Sequence, residues 1–258
     1  MVSVIIPCYN AESTIKKCIK SVLNQTFQDF EIVVVNDGST DSSLFIVQRL
    51  QRKYKQIKLL NKTKNEGLGQ ARFDGLKFAG GDFVTFLDSD DWFDRFALQN
   101  LFNAIKEDNY DYVEMGVTRV IGKHGWIKRK INQSVLGSIS QPELFDKYFI
   151  SFYGVNSLSV AAWGKLYRKS FLDSVDLKPS PVVLGEDLFM NLTLFPHLSK
   201  IKILDYPGYY YRYGGMTTKY NPRLLKDLVT LYFIKRRIAE NYNFTQFIPY
   251  MLIELKIY

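Results

Sequence analysis

The sequence predicts an α/β protein with a mostly parallel central sheet flanked by helices, and three observations support this fold class. Short apolar runs alternate with segments of helical periodicity throughout residues 1–118. The runs are nearly continuous, as expected for strands that are buried on both faces. The connecting segments are long enough to form the helical crossovers that parallel strands require.

The strands predicted for this region are short and rich in β-branched or aromatic residues. Pro7 ends the first of them, because proline cannot donate a hydrogen bond to a neighbouring strand. The predicted strands are Val2–Ile6, Glu31–Val35, Ile57–Leu60, Phe83–Leu87 and Tyr112–Val117.

Helices are predicted after the first four strands from apolar residues spaced three and four apart. In the third helix, Ala71 and Gly75 are small enough to allow close packing on the sheet. The predicted helices run from a cap at Asn10 or Ser13 to Asn24, from Asp41 to Tyr54, from Gly67 to Ala79 and over Leu98–Ile105.

Beyond residue 118 the regular alternation breaks down. Residues 119–220 are predicted to form a mixed, aromatic-rich second half of the same domain, and residues 221–258 a C-terminal helical extension. The elements expected there are an edge strand at Trp126–Ile131, a helix at Gln141–Phe152, an aromatic cluster at Tyr206–Tyr213 and a helix at Arg223–Tyr242.

The composition limits the partners and the compartment. With 34 Lys+Arg against 26 Asp+Glu, the net charge of +8 favours phosphorylated small molecules, nucleic acids or anionic membranes, without choosing among them. Cys8 and Cys18 lack disulfide-scaffold or zinc spacing, so we interpret both as reduced packing residues. The sequence shows neither a signal peptide nor an apolar window long enough to span a membrane, so we expect a cytoplasmic protein.

An acidic turn, Asp88–Asp91, follows the fourth strand and is the most informative stretch of the chain. Its three carboxylates repel one another, so a cation should balance them. Oxygen ligands at a strand end suit Mg²⁺ or Mn²⁺ shared with substrate phosphates. The alternative is a solvated acidic turn that caps the next helix.

Three loops are predicted to leave strands at one edge of the sheet, where open α/β sheets bind ligands. They are Pro7–Glu12, Asn36–Ser39 and Asp88–Asp91. A nucleotide laid across them could stack on Tyr9 and donate from its base to Asp37. No Gly-x-Gly-x-x-Gly follows the first strand and no phosphate-loop motif occurs, so neither a dinucleotide fold nor a phosphate loop is indicated.

Six stretches, in order, resemble family 2 inverting glycosyltransferases of the bacterial surface-polysaccharide type, which have the type A nucleotide-sugar-binding fold. The sequence departs from the family at Asn36, where an aspartate is common, and at Phe73, where an asparagine is common. The matching stretches are Val2–Asn10, Val35–Asp41, Asn65–Arg72, Gly81–Trp92, Ala162–Arg168 and Gly185–Asp187.

The resemblance implies a role for each matching residue. Asp187 would be the catalytic base, Asp90 would bind the metal together with Asp88, and Arg72 would lie near the nucleotide. The implied donor-binding residues are Pro7, Tyr9, Asn10, Glu12, Asp37, Asn65, Arg72, Asp88 and Ser89.

The chemistry of sugar transfer agrees with these roles. A diphosphate leaving group gains negative charge, which Mn²⁺ or Mg²⁺ would offset. The acceptor hydroxyl is a poor nucleophile and needs a base on the face opposite the leaving group, so the anomeric centre inverts. We expect a UDP-sugar donor, a glycan or lipid-linked acceptor and no nucleic-acid partner. The alternatives are a sugar-phosphate nucleotidylyltransferase and a non-catalytic binding module.

Several further residues have two open interpretations. Glu186 is either the base or its partner, and Trp163 stacks either on a sugar ring or in the core. Lys165 or Arg212 reaches the diphosphate or forms an ordinary salt bridge, and Asp91 is a weaker candidate for the acidic site.

The helix predicted near the C-terminus has two interpretations as well. Lys235, Arg236 and Arg237 flank its apolar face and could contact the anionic inner surface of the membrane. Packing of this helix on the catalytic domain is the alternative.

Overall fold

A computed structural model of the chain describes residues 1–121, 127–131, 135–153, 158–214 and 222–254. Ten strands form one sheet in the order β3-β2-β1-β4-β9-β6-β10-β5, with β7 paired to β6 and β8 to β10. The strands are β1 Val2–Cys8, β2 Phe30–Asp37, β3 Ile57–Lys62, β4 Phe83–Phe86, β5 Trp92–Phe93, β6 Tyr112–Ile121, β7 Ile127–Ile131, β8 Gly137–Ser140, β9 Lys165–Arg168 and β10 Lys200–Arg212.

Helices cover both faces of the sheet, and their inward residues form two apolar cores, one on each face. Along β1, Val4 and Ile6 contribute to one core and Ile5 to the other. The α-helices are α1 Ile15–Leu23, α2 Ser43–Lys53, α3 Leu68–Phe78, α4 Ala97–Glu107, α5 Lys169–Ser174, α6 Glu186–Leu194, α7 Leu224–Asn241 and α8 Ile248–Glu254. None of the described helices is long and apolar enough to cross a membrane.

The first four strands pair in parallel, β3 with β2, β2 with β1 and β1 with β4. This confirms the predicted α/β class and the mostly parallel sheet. The chain moves outward from β1 to β3 and then returns to the opposite side of β1 with β4. The carboxyl ends of β2, β1 and β4 therefore meet at a switch in strand order, the place where α/β sheets bind ligands.

The order of the sheet beyond β4 differs from simple alternation. β9 lies between β4 and β6 and is antiparallel to both. Its Leu166 pairs with Thr85 on one side and with Val113 on the other. A strand from the second half therefore separates two strands that are consecutive in the α/β pattern of the first half.

Two predicted helices differ from the observed ones. α1 begins at Ile15, and neither Asn10 nor Ser13 caps it. Asn10 instead adopts a positive φ of 47° and its side-chain oxygen accepts from the backbone N–H of Thr40, so it serves the loop and not the helix. The helix predicted at Gln141–Phe152 is a π turn followed by a 3-10 turn, Leu144–Tyr148 and Phe149–Tyr153.

Other predicted features agree with the structure. Cys8 and Cys18 are buried free thiols. The edge strand is present as β7, although Trp126 lies outside the described residues.

Helix α7 packs on the rest of the fold through a face that includes charged residues. Asp227, Leu231, Lys235 and Ala239 are all buried on it. The prediction that Lys235 joins a surface basic patch is therefore wrong, because a position four residues after Leu231 lies on the same helix face. Asp227 accepts the backbone N–H groups of Val183 and Leu184 at 3.1 and 2.9 Å, just before α6.

Close contact between α3 and the sheet explains the glycine at position 75 and provides a stability test. A Cβ atom at Gly75 would lie 2.5 Å from Cγ2 of Ile5 and 3.1 Å from Cγ2 of Val35. Overpacking of this kind costs about 1–3 kcal/mol, more than the roughly 1 kcal/mol that alanine gains over glycine inside a helix. Gly75→Ala should therefore lower the free energy of unfolding measured in urea.

Gly80→Ala is the matched control for this prediction. A Cβ atom there approaches nothing closer than Glu31 Oε1 at 3.6 Å. An unchanged or raised urea midpoint for Gly75→Ala would show that α3 can move away from the sheet at little cost.

Candidate active site

The acidic turn lies at the carboxyl end of β4, and its acids have different environments. Asp88 and Asp90 are half-buried at the edge of the sheet, whereas Asp91 is only 1% exposed. Asp91 accepts the Tyr209 hydroxyl at 2.7 Å and the backbone N–H of Arg212 at 2.7 Å. These bonds attach the turn to β10, so Asp91 is a structural acid and not part of an open site.

Asp88 and Asp90 are the two carboxylates of the turn that could hold a divalent cation shared with a substrate. Burial first, and then the charge of Asp88, raise the pKa of Asp90, and the charge of Arg212 offsets only part of this rise. Among the described residues no cluster of three or more His, Cys, Asp or Glu side chains could hold a metal ion. The turn thus offers two oxygen ligands, and diphosphate oxygens would complete the coordination, as is usual for Mg²⁺.

The loops that follow β1 and β2 are fastened to each other. The backbone N–H of Asn10 donates to Ser39 Oγ at 3.1 Å, and that of Glu12 donates to Asp41 Oδ2 at 3.0 Å. In return, a carboxylate oxygen of Glu12 accepts the N–H of Ser42 at 2.9 Å. Asn10 and Glu12 therefore shape the floor of the predicted nucleotide site by holding these loops together.

The residues predicted to hold the base lie along the same edge. Pro7 is buried within β1, which continues to Cys8 and does not end at Pro7 as predicted. Tyr9 follows this strand and is 48% exposed. Asp37 is buried and accepts the backbone N–H of Gly67 at 2.8 Å while pairing with Lys62 at 3.0 Å. These bonds orient the loop between β3 and α3, in which Asn65 is exposed; contact of Asp37 with a base stays a prediction.

Arg72 joins acids from both halves of the chain. It is 5% exposed, and its Nη2 donates to Asp88 Oδ1 at 2.8 Å. Its Nη1 donates to the Asp187 carboxylate and lies 3.4 Å from Glu186 Oε1. Arg72 was predicted to lie near the nucleotide. The structure places it between Asp88 of the acidic turn and Asp187, the predicted base.

The two acids that begin α6 have raised pKa values. For Glu186, burial and then the charge of Asp187 raise the pKa to about 7. Burial also raises the pKa of Asp187, against the charge of Arg72 and the backbone N–H of Ala162, which lower it. A carboxylate with a raised pKa is a stronger proton acceptor once ionised, which is what a general base requires.

Arg212 and Trp163 lie beside this site in different ways. The Arg212 Nε donates to the backbone oxygen of Asp90 at 3.2 Å, at the mouth of the acidic turn. Trp163 is partly buried and stacks on Tyr209 and on Tyr211, with ring centroids 4.5 and 5.5 Å away. These contacts agree with the second interpretation made from the sequence, in which Trp163 packs within the protein, and stacking on a sugar ring stays a prediction.

Lys165 is not accessible to a ligand. It is fully buried, and its Nζ donates to the backbone oxygens of Ser159 at 2.8 Å and Ala161 at 2.7 Å. Of the two interpretations of Lys165 made from the sequence, contact with a diphosphate is wrong, because its ammonium group is enclosed by protein atoms.

Three residues that support the site were missed in the sequence: Tyr209, Asn191 and Asp227. Tyr209 was one tyrosine of an aromatic cluster, and nothing marked it as the partner of Asp91. Asn191 lies one helical turn after Asp187, a spacing that could have marked it. Nothing in the sequence marked Asp227, because its carboxylate accepts the backbone N–H groups of Val183 and Leu184, which any residue type would provide.

Comparison with known proteins agrees with this geometry. The Streptococcus pneumoniae glycosyltransferase GlyA is 30% identical over 241 residues, which are 88% of this chain and 33% of GlyA. The poly(ribitol-phosphate) beta-glucosyltransferase of Bacillus spizizenii is 31% identical over 213 residues, 81% of this chain and 32% of that protein. The chain thus spans about a third of the length of these relatives.

A solved structure and a family match complete the comparison. The crystal structure of a Staphylococcus aureus TarS fragment in complex with UDP-GlcNAc superposes with a TM-score of 0.75 at 28% identity, covering 92% of this chain and 65% of that one. This similarity establishes the type A glycosyltransferase fold. The family described as Glycosyl transferase family 2 matches residues 3–175, about two thirds of the chain. The protein therefore belongs to glycosyl transferase family 2.

Proposed function

We propose that the chain is a metal-dependent, inverting glycosyltransferase that moves a sugar from a nucleotide-sugar, specifically a UDP-sugar, to a hydroxyl group. The acceptor in this proposal is a glycan or lipid-linked glycan of a bacterial surface polysaccharide or glycoconjugate. The observation that carries this proposal is the pairing of one buried cation, Arg72, with both Asp88 of the acidic turn and Asp187 of α6.

The reaction would proceed as a single displacement. Asp187 takes the proton of the acceptor hydroxyl while the acceptor oxygen forms a bond to the anomeric carbon. The bond between that carbon and the phosphate oxygen breaks, and its electron pair leaves with UDP. Attack on the face opposite the leaving group inverts the centre, and no covalent sugar–enzyme species forms.

Within this chain, Asp90 and Asp88 would hold Mn²⁺ or Mg²⁺, which when bound offsets the negative charge gained by the diphosphate. The guanidinium group of Arg72 contacts both Asp88 and Asp187. It would therefore fix the position of the donor-binding acid relative to the base. Tyr9 offers an exposed ring to the base of the nucleotide.

Two comparisons support the choice of substrates. The structure of TarS with UDP-GlcNAc makes a UDP-sugar the first donor to test. The relative that glucosylates poly(ribitol-phosphate) points to a surface polymer as the class of acceptor.

A panel of UDP-, GDP- and dTDP-sugars with Mn²⁺ tests the proposal. We expect UDP-sugars to raise the melting temperature most and one of them to release UDP slowly in the absence of acceptor. A binding module would be stabilised by the donor yet release no UDP over hours. A nucleotidylyltransferase would produce a nucleotide-sugar from a sugar phosphate and a nucleoside triphosphate, releasing pyrophosphate, and we expect none.

We further propose that the protein works on the cytoplasmic side of an anionic membrane and contacts it through the outward face of α7. Leu225, Val229 and Phe233 follow one another at four-residue intervals there and are 73%, 44% and 59% exposed. The exposed Lys226 and Arg237 lie on the same side of the helix. An apolar stripe beside basic residues is complementary to an anionic lipid surface.

Sedimentation with vesicles of phosphatidylglycerol and phosphatidylcholine checks this surface. Each basic residue near an anionic leaflet contributes about 1 kcal/mol, so low salt should favour binding and high salt should release the protein. The double substitution Leu225→Ser and Phe233→Ser should abolish sedimentation. Phe45→Ser on α2, which removes a phenylalanine that is 66% exposed, should not. Wild-type protein that stays in the supernatant at low salt would refute the membrane contact.

A further inference from the structure

The segment that precedes β9, Ser159–Ala162, lies against the first turns of α6, where the proposed base is located. Lys165 is 0% exposed and Asn191 is 5% exposed, so both belong to the protein interior. The chain therefore buries a cation and an amide immediately behind Asp187. Burying a charged group costs several kcal/mol unless it is paired and hydrogen-bonded, so its contacts carry information.

Every donor of the Lys165 ammonium group has a partner. Its Nζ donates to the backbone oxygens of Ser159 and Ala161 at 2.8 and 2.7 Å, and to Asn191 Oδ1 at 3.2 Å. An ammonium group has three donors, so this set is complete. The carboxylate of Glu114, 3.7 Å away, supplies the opposite charge.

Asn191 extends this set of contacts to the base. Its Nδ2 donates to the backbone oxygen of Val160 at 2.8 Å and to that of Asp187 at 2.8 Å. The backbone N–H of Ala162, at the end of the same segment, lowers the pKa of the Asp187 carboxylate. Lys165 and Asn191 thus join the segment to α6 at the residue that is to accept the proton.

We propose that Lys165 and Asn191 are positioning residues for the base. They hold the Ser159–Ala162 segment against α6 so that the Ala162 N–H and Arg72 orient the Asp187 carboxylate. This inference rests on the proposed function, because it gives Asp187 the role of base. It assigns to Lys165 a role in turnover without contact with donor or acceptor.

The test compares Lys165→Met with Lys235→Met. Methionine is one atom shorter than lysine but nearly matches its volume, and it donates no hydrogen bond. Lys235 is a matched control, since it is 1% exposed and lies on α7, outside the Ser159–Ala162 contacts. Misplacement of a catalytic group by about 1 Å costs about 10²-fold in rate. We therefore expect Lys165→Met to lower kcat about 10²-fold, with the Kd for UDP in Mn²⁺ changed less than twofold.

Two further measurements separate positioning from general instability. Amide exchange at residues 159–163 should accelerate at least tenfold in Lys165→Met and stay unchanged in Lys235→Met. Asn191→Ala should show the same selective loss of kcat, and the double variant should lose little more than the worse single variant, because both residues act in one set of contacts.

The outcomes distinguish this inference from the function on which it rests. If Asp187→Asn is inactive while Lys165→Met keeps kcat within threefold and normal exchange at residues 159–163, the positioning role is wrong and the proposed function stands. If Asp187→Asn is itself active, Asp187 is not the base and both assignments fail. Equal losses in Lys165→Met and Lys235→Met would show a structural role only.

Discussion

Asp187→Asn is expected to lower the rate of sugar transfer by about 10²–10⁴-fold, the usual contribution of a general base. The amide keeps the size of the side chain and can still contact Arg72, but it cannot accept the proton of the acceptor hydroxyl. Because the loops proposed to bind the donor lie on the other side of Arg72, the Kd for UDP should change little. Initial rates of UDP release with acceptor, together with calorimetry of UDP binding in Mn²⁺, measure the two quantities separately.

Glu186→Gln is the matched control for this prediction, because Glu186 precedes Asp187 and lies in the same carboxylate cluster. Its pKa of about 7 arises from burial and then from the charge of Asp187. Burial and the charge of Asp187 both favour the protonated form of Glu186, which is not the form that a general base needs. We expect Glu186→Gln to keep most of the activity; full activity of Asp187→Asn with an inactive Glu186→Gln would move the base to Glu186.

The same pKa shifts set the direction of the pH dependence. Asp187 must be ionised to accept a proton, and burial raises its pKa above the ordinary value for aspartate. Transfer should therefore rise as the pH rises through this raised pKa, with an acidic limb that lies above the usual aspartate range. Asp187→Asn should remove that limb from the residual rate.

Asp90→Asn is expected to lower transfer by at least about 10²–10³-fold, the cost of losing one preorganised electrostatic contact to a transition state. Asp90 already has a raised pKa because burial and Asp88 disfavour its charge. Without a carboxylate at this position a divalent ion and the diphosphate would lose a shared ligand. We expect the dependence of the rate on Mn²⁺ concentration to shift to higher concentrations, and chelator-treated wild-type protein to be inactive.

Asp82→Asn is the control for this change. Asp82 immediately precedes β4, the strand whose opposite end bears the acidic turn, and pairs with the N-terminal amine. Its substitution should leave both the rate and the Mn²⁺ dependence unchanged. Wild-type protein that transfers sugar at full rate in excess chelator would disprove the metal role of Asp90.

Much of the first half of the fold is already determined by local sequence. Nearly continuous apolar runs indicated β1, β2 and β4, because a strand covered by helices on both faces needs mostly apolar residues. β3 lies at the edge of the sheet, and only Ile57 of its six residues is buried. The loops after β1, β2 and β4 were predicted to meet at one edge, and parallel pairing of these strands confirms it. The resemblance to the family depended on short motifs in these loops, and the family match confirms it.

The cap of α1 shows the limit of such local rules. Asn10 is a favourable capping residue, yet its side chain bonds to Thr40, a residue on another loop. The position of β9 could not be predicted either, because an apolar residue such as Leu166 fits beside almost any strand of the sheet. Which strand it joins depends on shape and hydrogen bonds across the whole sheet.

The sequence by itself determined the fold class, the ligand-binding edge and the acids most suited to chemistry. Only the tertiary structure decided how the basic residues are used: Arg72 joins Asp88 to Asp187, Lys165 bonds to the segment before β9, and Lys235 is buried. The physical reason is that periodicity reports the burial of apolar residues along one element. A buried cation is stable only beside acceptors that distant parts of the chain bring to it, and that pairing is absent from any local pattern.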